Sequence, residues 1–229
     1  MGSEQVAENQ QQQVAELIYS YIVRRSICGL TMKNMNNIFQ SLAAHFISQD
    51  VSVQRLQSFF GERTSDSVKF PTDKEFRLGI LSGNAYSIAP KPRLVDILWE
   101  LELATKSKLS ESVEQPEGLW VEHVLPQTWT DEWPFEDGST GDPQNEDAPT
   151  LARNAMIHVM GNLTLLTSNL NKSVSNKSFS EKREKFSEHT GLFLNKWFAG
   201  QERWTESEIR SRGEHLAELA VLRWKGLGS

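Results

Sequence analysis

Leu119-Trp120-Val121-Glu122-His123-Val124-Leu125-Pro126-Gln127 and Gly161-Asn162-Leu163-Thr164-Leu165-Leu166-Thr167 are the two stretches that decide the reading of this chain. The first alternates apolar and polar side chains as a short half-buried strand does, and Pro126 stops it. The second is a brief apolar run opened by a glycine, which predicts a second strand over 161–167. From Ser168 onward the pattern turns helical, and Ser178-x-x-Glu181 is a capping box. Strand, loop, strand and helix make a ββα unit, in which the end of the first strand and the start of the helix converge on one point.

Outward from this unit the chain is helical. Val14, Leu17, Ile18, Tyr21 and Ile22 fall at three- and four-residue spacing, with Gly29 as the stop. Further helices are predicted around Ile38–Ile47, Val53–Phe60, Leu94–Leu103 and Ile209–Leu222, with another opened by the capping box Thr72-x-x-Glu75 and running to Leu81. The expected fold class is therefore mainly α within α+β: a helical domain with an embedded ββα motif. The expected organisation is a disordered Gln-rich tail over 1–13, a helical domain over 14–112, a core over 113–186 and a helical extension over 187–229. No internal repeat is present.

Composition narrows the function. The 229 residues carry a formal charge of −6, seven Trp and eleven Phe. That is aromatic enough for a packed core and acidic enough to argue against a general nucleic-acid coat protein. No run of about 18 apolar residues exists, and Met1-Gly2-Ser3-Glu4 has no basic-then-apolar signal pattern, so a cytoplasmic protein is expected. A single cysteine, Cys28, excludes an internal disulfide or a Cys-rich zinc site and reads as a buried apolar residue. The charge is uneven. The segment 126–150 holds seven acidic side chains and no Lys or Arg, whereas Lys172, Lys177, Lys182, Arg183 and Lys185 crowd a short stretch against Glu181 and Glu184. The basic run is a candidate phosphate-gripping face, or else an ordinary solvated helix face. The acidic segment is a candidate shield over the site.

The chemistry sits in the paired stretches. Glu122 offers a hard oxygen ligand, Asn171, nine residues after Asn162, offers a carbonyl oxygen, and His123 carries an imidazole that takes a proton near neutral pH. This is a minimal set for metal-assisted attack of water on a phosphodiester, with magnesium the natural ion and manganese its substitute. One geometric objection stands against Glu122. Neighbours on a strand point to opposite faces, so Glu122 and His123 converge only if the strand end twists or bulges.

At these residues the sequence resembles the HNH, or His-Me finger, nucleases, including the HNH domain of CRISPR RNA-guided nucleases. It is more closely similar to the C-terminal domain of GmrSD-type, type IV restriction proteins and their relative SspE. The resemblance is carried by Glu122, His123, Pro126, Gln127, His158, Gly161, Asn162, Asn171, Asn176, Phe179, Lys182 and Arg183, and upstream by Tyr21–Phe39, so that it spans about Tyr21 to Arg183.

The resemblance implies a magnesium-dependent DNA endonuclease or nickase in restriction or anti-phage defence, leaving 5′-phosphate and 3′-hydroxyl ends. In that reading His123 activates water, and Glu122 and Asn171 hold the metal. Asn162 steadies the loop carrying His123, and His158 either donates to the scissile phosphate or is a buried structural histidine. Lys172, Lys177, Lys182, Arg183 and Lys185 face double-stranded DNA, modified or plain. Arg24 and Arg25 reach phosphate or complement their helix C-terminus. Trp120, Trp129 and Trp133 read as core or loop anchors. The family's nucleotide-hydrolysing half has no counterpart here, so a partner domain or subunit is expected to supply it. The competing readings are a catalytically degenerate DNA-binding or regulatory module of a restriction complex, and a helical interaction scaffold.

Overall fold

The computed structural model describes residues 3–47, 51–106, 114–129, 132–167, 177–189 and 191–228. The chain is mostly helical with one small sheet, as the α+β class requires. It divides into two compact units, residues 1–79 with 224–229, and residues 80–223. The division falls at Gly79, not at the polar stretch near 112, so the helix over 91–105 belongs with the sheet and not with the N-terminal helices.

In the first unit, α1 (Ser3–Ile27), α2 (Met35–Phe46) and α3 (Val53–Gly61) enclose an apolar core of Leu17, Tyr21, Ile38, Leu42, Leu56, Phe59, Phe60 and Phe70. The Gln-rich start is not a tail but the first half of α1. Gly29 ends that helix at φ +65, while the Leu30 N–H returns to the Arg25 carbonyl. Arg24 and Arg25 do not reach outward; both are fully buried. Arg24 donates to the carbonyls of Trp224 and Pro71 and to Asp73, and Arg25 donates to the carbonyls of Lys69, Thr31, Asp66 and Ser67. They tie loops to the last turn of a helix, so of the two expected roles the contact with phosphate falls away. The Thr72–Glu75 capping box opens α4 (Asp73–Ser82) as expected, with the Thr72 N–H on the Glu75 carboxylate and the Glu75 N–H on Thr72 Oγ1. Cys28 is half-buried, and burial pushes its thiol up to about 11.

The second unit positions the site. β1 (Leu119–His123) pairs antiparallel with β2 (Leu163–Thr167) in the register Leu119↔Thr167 to His123↔Leu163. Both strands pack on α6 (Lys91–Thr105), which also meets α10 (Glu206–Arg223). Ahead of α6 stands the short α5 (Ala85–Ile88), which the sequence reading missed. Between the strands lie α7 (Ala148–Met156), capped by Asp147 on the Thr150 N–H, and a 3-10 turn over Met160–Asn162. After β2 come α8 (Phe179–His189) and α9 (Phe193–Lys196). A core of Val124, Leu125, Trp129, Trp133, Ile157, Phe179, Phe186, Phe198 and Trp204 fills the space around the sheet.

β2 begins at Leu163 rather than Gly161 because the glycine is pressed against α10. A Cβ on Gly161 would lie 2.2 Å from the Ile209 carbonyl oxygen, so no other residue fits without moving that helix. The segment that would complete a ββα unit directly after β2 lies outside the described residues.

Candidate active site

His123 closes β1 with its side chain almost fully buried. Its Nε2 lies 3.0 Å from Nδ1 of His158, which follows α7, and the two rings meet edge to face at 71°. Tyr86 of α5 stacks on His123 at 5.2 Å between centroids and 19° between planes, and meets His158 edge-on. The Ala85 N–H donates to the His158 carbonyl at 2.9 Å, which fixes α5 to the same point. Three chain segments thus converge on one imidazole. Burial depresses His123 to about 3, helped by His158, Lys182 and Lys91, so the ring is neutral at physiological pH. Burial lowers His158 too. Burial and the nearby Glu122 push the Tyr86 phenol up to about 12, so it is neutral as well.

Glu122 precedes His123 on β1 and is engaged by a lysine. Its Oε1 accepts a 2.7 Å hydrogen bond from Lys182 Nζ, and the same ammonium donates to the His123 carbonyl at 2.8 Å. The Lys182 side chain is fully buried and that of Glu122 only 13% exposed. Burial raises Glu122 and lowers Lys182, each against the attraction of the other. Lys182 is therefore corrected from a DNA contact to an internal strut between α8 and β1, and the expected basic face loses its middle. Of its other members, Lys177 pairs with Glu181, Arg183 donates to the Gln201 carbonyl, and Lys185 is half-buried. Lys172 lies outside the described residues.

Asn162 is fully buried and uses its amide completely. Its Oδ1 accepts from the Leu125 N–H at 2.8 Å and from Trp204 Nε1 at 3.0 Å, and its Nδ2 donates to the carbonyls of Leu125 and Ile157. The Asn162 carbonyl also accepts from the Val124 N–H. It holds the backbone leaving His123. Arg212 of α10 donates to the carbonyls of Gly161 and Leu163 from a fully buried position that holds its pKa to about 9. Sequence reading passed over Arg212 because an arginine in a terminal helix carries no local signal of burial.

Of the expected metal ligands, Glu122 already carries an ammonium, and no three His, Cys, Asp or Glu side chains cluster among the described residues. Asn171, the second expected ligand, lies outside them.

The acidic segment 126–150 is pinned where it is described. Trp129 and Trp133 are buried anchors, as expected, and Trp129 Nε1 donates to Asn154. Arg153 donates to the carbonyls of Trp133 and Pro134 and pairs with Glu206. Asp137, Asp142 and Asp147 spend their carboxylates on local turns and the α7 cap. Trp120 departs from expectation: it is 53% exposed on β1.

Two imidazoles sharing a hydrogen bond beneath a tyrosine ring, at the end of a small sheet wrapped by helices, form a site suited to moving a proton. The protein class is given by comparison: residues 70–219 match the family model for the C-terminal domain of GmrSD restriction endonucleases, and the chain belongs to that family. Its role is accordingly restriction-endonuclease-related. No curated protein matches the chain. No helix among the described residues is long and apolar enough to cross a membrane.

Proposed function

We propose that this chain is an HNH-type DNA endonuclease that nicks double-stranded DNA in restriction or anti-phage defence, with His123 as general base. The observation that carries the reading is the pairing of His123 with His158 at 3.0 Å within a family of restriction endonucleases. With Nε2 of His123 engaged by His158, Nδ1 is the nitrogen left to take the proton of an attacking water. The water oxygen bonds to phosphorus, the bond to the 3′ oxygen breaks, that oxygen takes a proton from solvent, and 5′-phosphate and 3′-hydroxyl ends result. His158 holds the His123 tautomer, and Tyr86 and Asn162 hold ring and backbone in place. Bound phosphate supplies the negative charge that lifts His123 from its depressed value towards a useful basicity.

Magnesium, or manganese in its place, belongs to this proposal on the resemblance alone, with Glu122 and Asn171 as its expected ligands. Lys172, Lys177, Arg183 and Lys185 are the candidate phosphate contacts. A nucleotide-hydrolysing domain or subunit is the expected partner, and the cytoplasm the expected location.

Plasmid nicking tests the reading, on modified and unmodified DNA, with magnesium against EDTA. Nicking in magnesium that falls roughly 100-fold or more in His123→Ala supports it. Full nicking by His123→Ala removes it.

The grip of Lys182 on Glu122 favours a second reading, a catalytically degenerate DNA-binding or regulatory module of a restriction complex. It predicts DNA binding with no magnesium uptake by calorimetry and no cleavage.

A further inference from the structure

Beside the imidazole pair lies a cavity of about 610 Å³ that the proposed chemistry does not use. Tyr86 belongs to both: its ring stacks on His123 and also lines the cavity. The opposite walls come from the first turns of α6, with Lys91, Val95 and Asp96, and from Glu117 and Trp120 on the approach to and within β1. Lys91 is close enough for its charge to bear on His123.

Two features of the lining point to its occupant. Trp99, Trp129, Trp133 and Trp204 are each at most 6% exposed, whereas Trp120, on the cavity wall, is 53% exposed. A large flat ring kept open beside a cavity is a stacking platform, and every nucleobase has a face to lay on it. The charge of the lining excludes the other half of a nucleotide. Asp96 and Glu117 outnumber Lys91, so a phosphate is repelled, while two acceptor side chains suit the amino group of a base. The volume is in the range of sites that enclose small molecules.

Resting on the nuclease reading, we infer that this cavity takes one unstacked nucleobase of the strand presented to His123, and that it prefers bases bearing an exocyclic amino group over thymine. Holding a base on one side of Tyr86 places its sugar-phosphate near the imidazoles on the other. The backbone is thereby registered against His123 without any basic groove at this point.

Fluorescence anisotropy of the full chain in EDTA, with labelled ten-nucleotide oligomers of cytosine, of thymine and of abasic sugar, tests this apart from cleavage. The cytosine oligomer is expected to bind roughly tenfold tighter than the abasic one, a typical worth for one stacked and hydrogen-bonded base, with the thymine oligomer between them. Trp120→Ala is expected to weaken the cytosine and thymine oligomers towards the abasic level, and Asp96→Ala to bring cytosine to the thymine level with less loss of affinity. Both substitutions lie at exposed positions, and circular dichroism checks their folding. Equal binding of all three oligomers overturns the inference, as does a gain over the abasic oligomer that survives Trp120→Ala or a cytosine preference that survives Asp96→Ala. The two readings fail separately. Loss of the preference leaves His123-dependent nicking intact on plasmid, and absence of nicking leaves the preference measurable in EDTA.

Discussion

His123 Nε2 and His158 Nδ1, 35 residues apart in sequence, lie 3.0 Å apart in space and share one hydrogen bond. Only one of the two nitrogens can carry the proton, so the rings are locked into matched tautomers. Protonating His123 would place a cation inside a buried site, beside Lys182 and Lys91.

The pair therefore resists acid. His123 has a folded pKa of about 3, below the ordinary histidine value, so the unfolded chain binds protons first as pH falls. Stability from this group is complete above about pH 6.5 and declines as pH drops towards 3, by at most ~1.4 kcal/mol per pH unit. Imidazole NMR is expected to show His123 neutral from pH 8 to 4 in the free protein, and to show titration at higher pH once a DNA duplex is bound. A free-protein midpoint near 6.5 would contradict the buried pairing.

The Lys182–Glu122 strut makes a contrasting prediction. Lys182→Met leaves a buried carboxylate alone and is expected to cost about 3–5 kcal/mol, read as a lowered urea midpoint. Replacing both partners, as Lys182→Met with Glu122→Gln, removes the uncompensated charge and recovers most of that loss. An unchanged midpoint in the single variant would place both groups in water.

Gly161 and Asn162 are expected to fail for different reasons. Gly161→Ala drives a Cβ into the Ile209 carbonyl and the Gly213 backbone, forcing α10 away, at a cost on the order of 3 kcal/mol. Asn162→Ala keeps the backbone but strands the Leu125 N–H, the Leu125 and Ile157 carbonyls and Trp204 Nε1, at about 1–3 kcal/mol for each group that water cannot reach. Thermal unfolding measures both. Nicking by Asn162→Ala below its melting temperature is expected to fall further than the folded fraction, since the His123 backbone loses its hold.

Much of the fold was legible because it is written in local terms. The capping boxes at Thr72 and Ser178, the glycine stop at Gly29 and the alternation of Leu119–His123 each depend on neighbours in sequence. The errors fell where a side chain's fate is set from afar. Arg24, Arg25 and Lys182 carry the sequence signature of phosphate contacts, yet distant carbonyls and carboxylates claim them inside. Trp120 reads as a core or loop anchor and is open. The Gln-rich start has no apolar period and is nonetheless helical.

The sequence by itself determined that this is a mainly helical protein with a pair of short strands, that His123 lies on the first of them, and that the chain sits in a restriction-endonuclease family. Periodicity, caps and motif spacing are properties of adjacent residues, so no folding need be known to read them. Only the tertiary structure decided that His158 and Tyr86 are the partners of His123, that Lys182 occupies Glu122, and that a cavity opens behind Tyr86. Those outcomes depend on which segments meet, and burial then sets the charge of each group there through the loss of water.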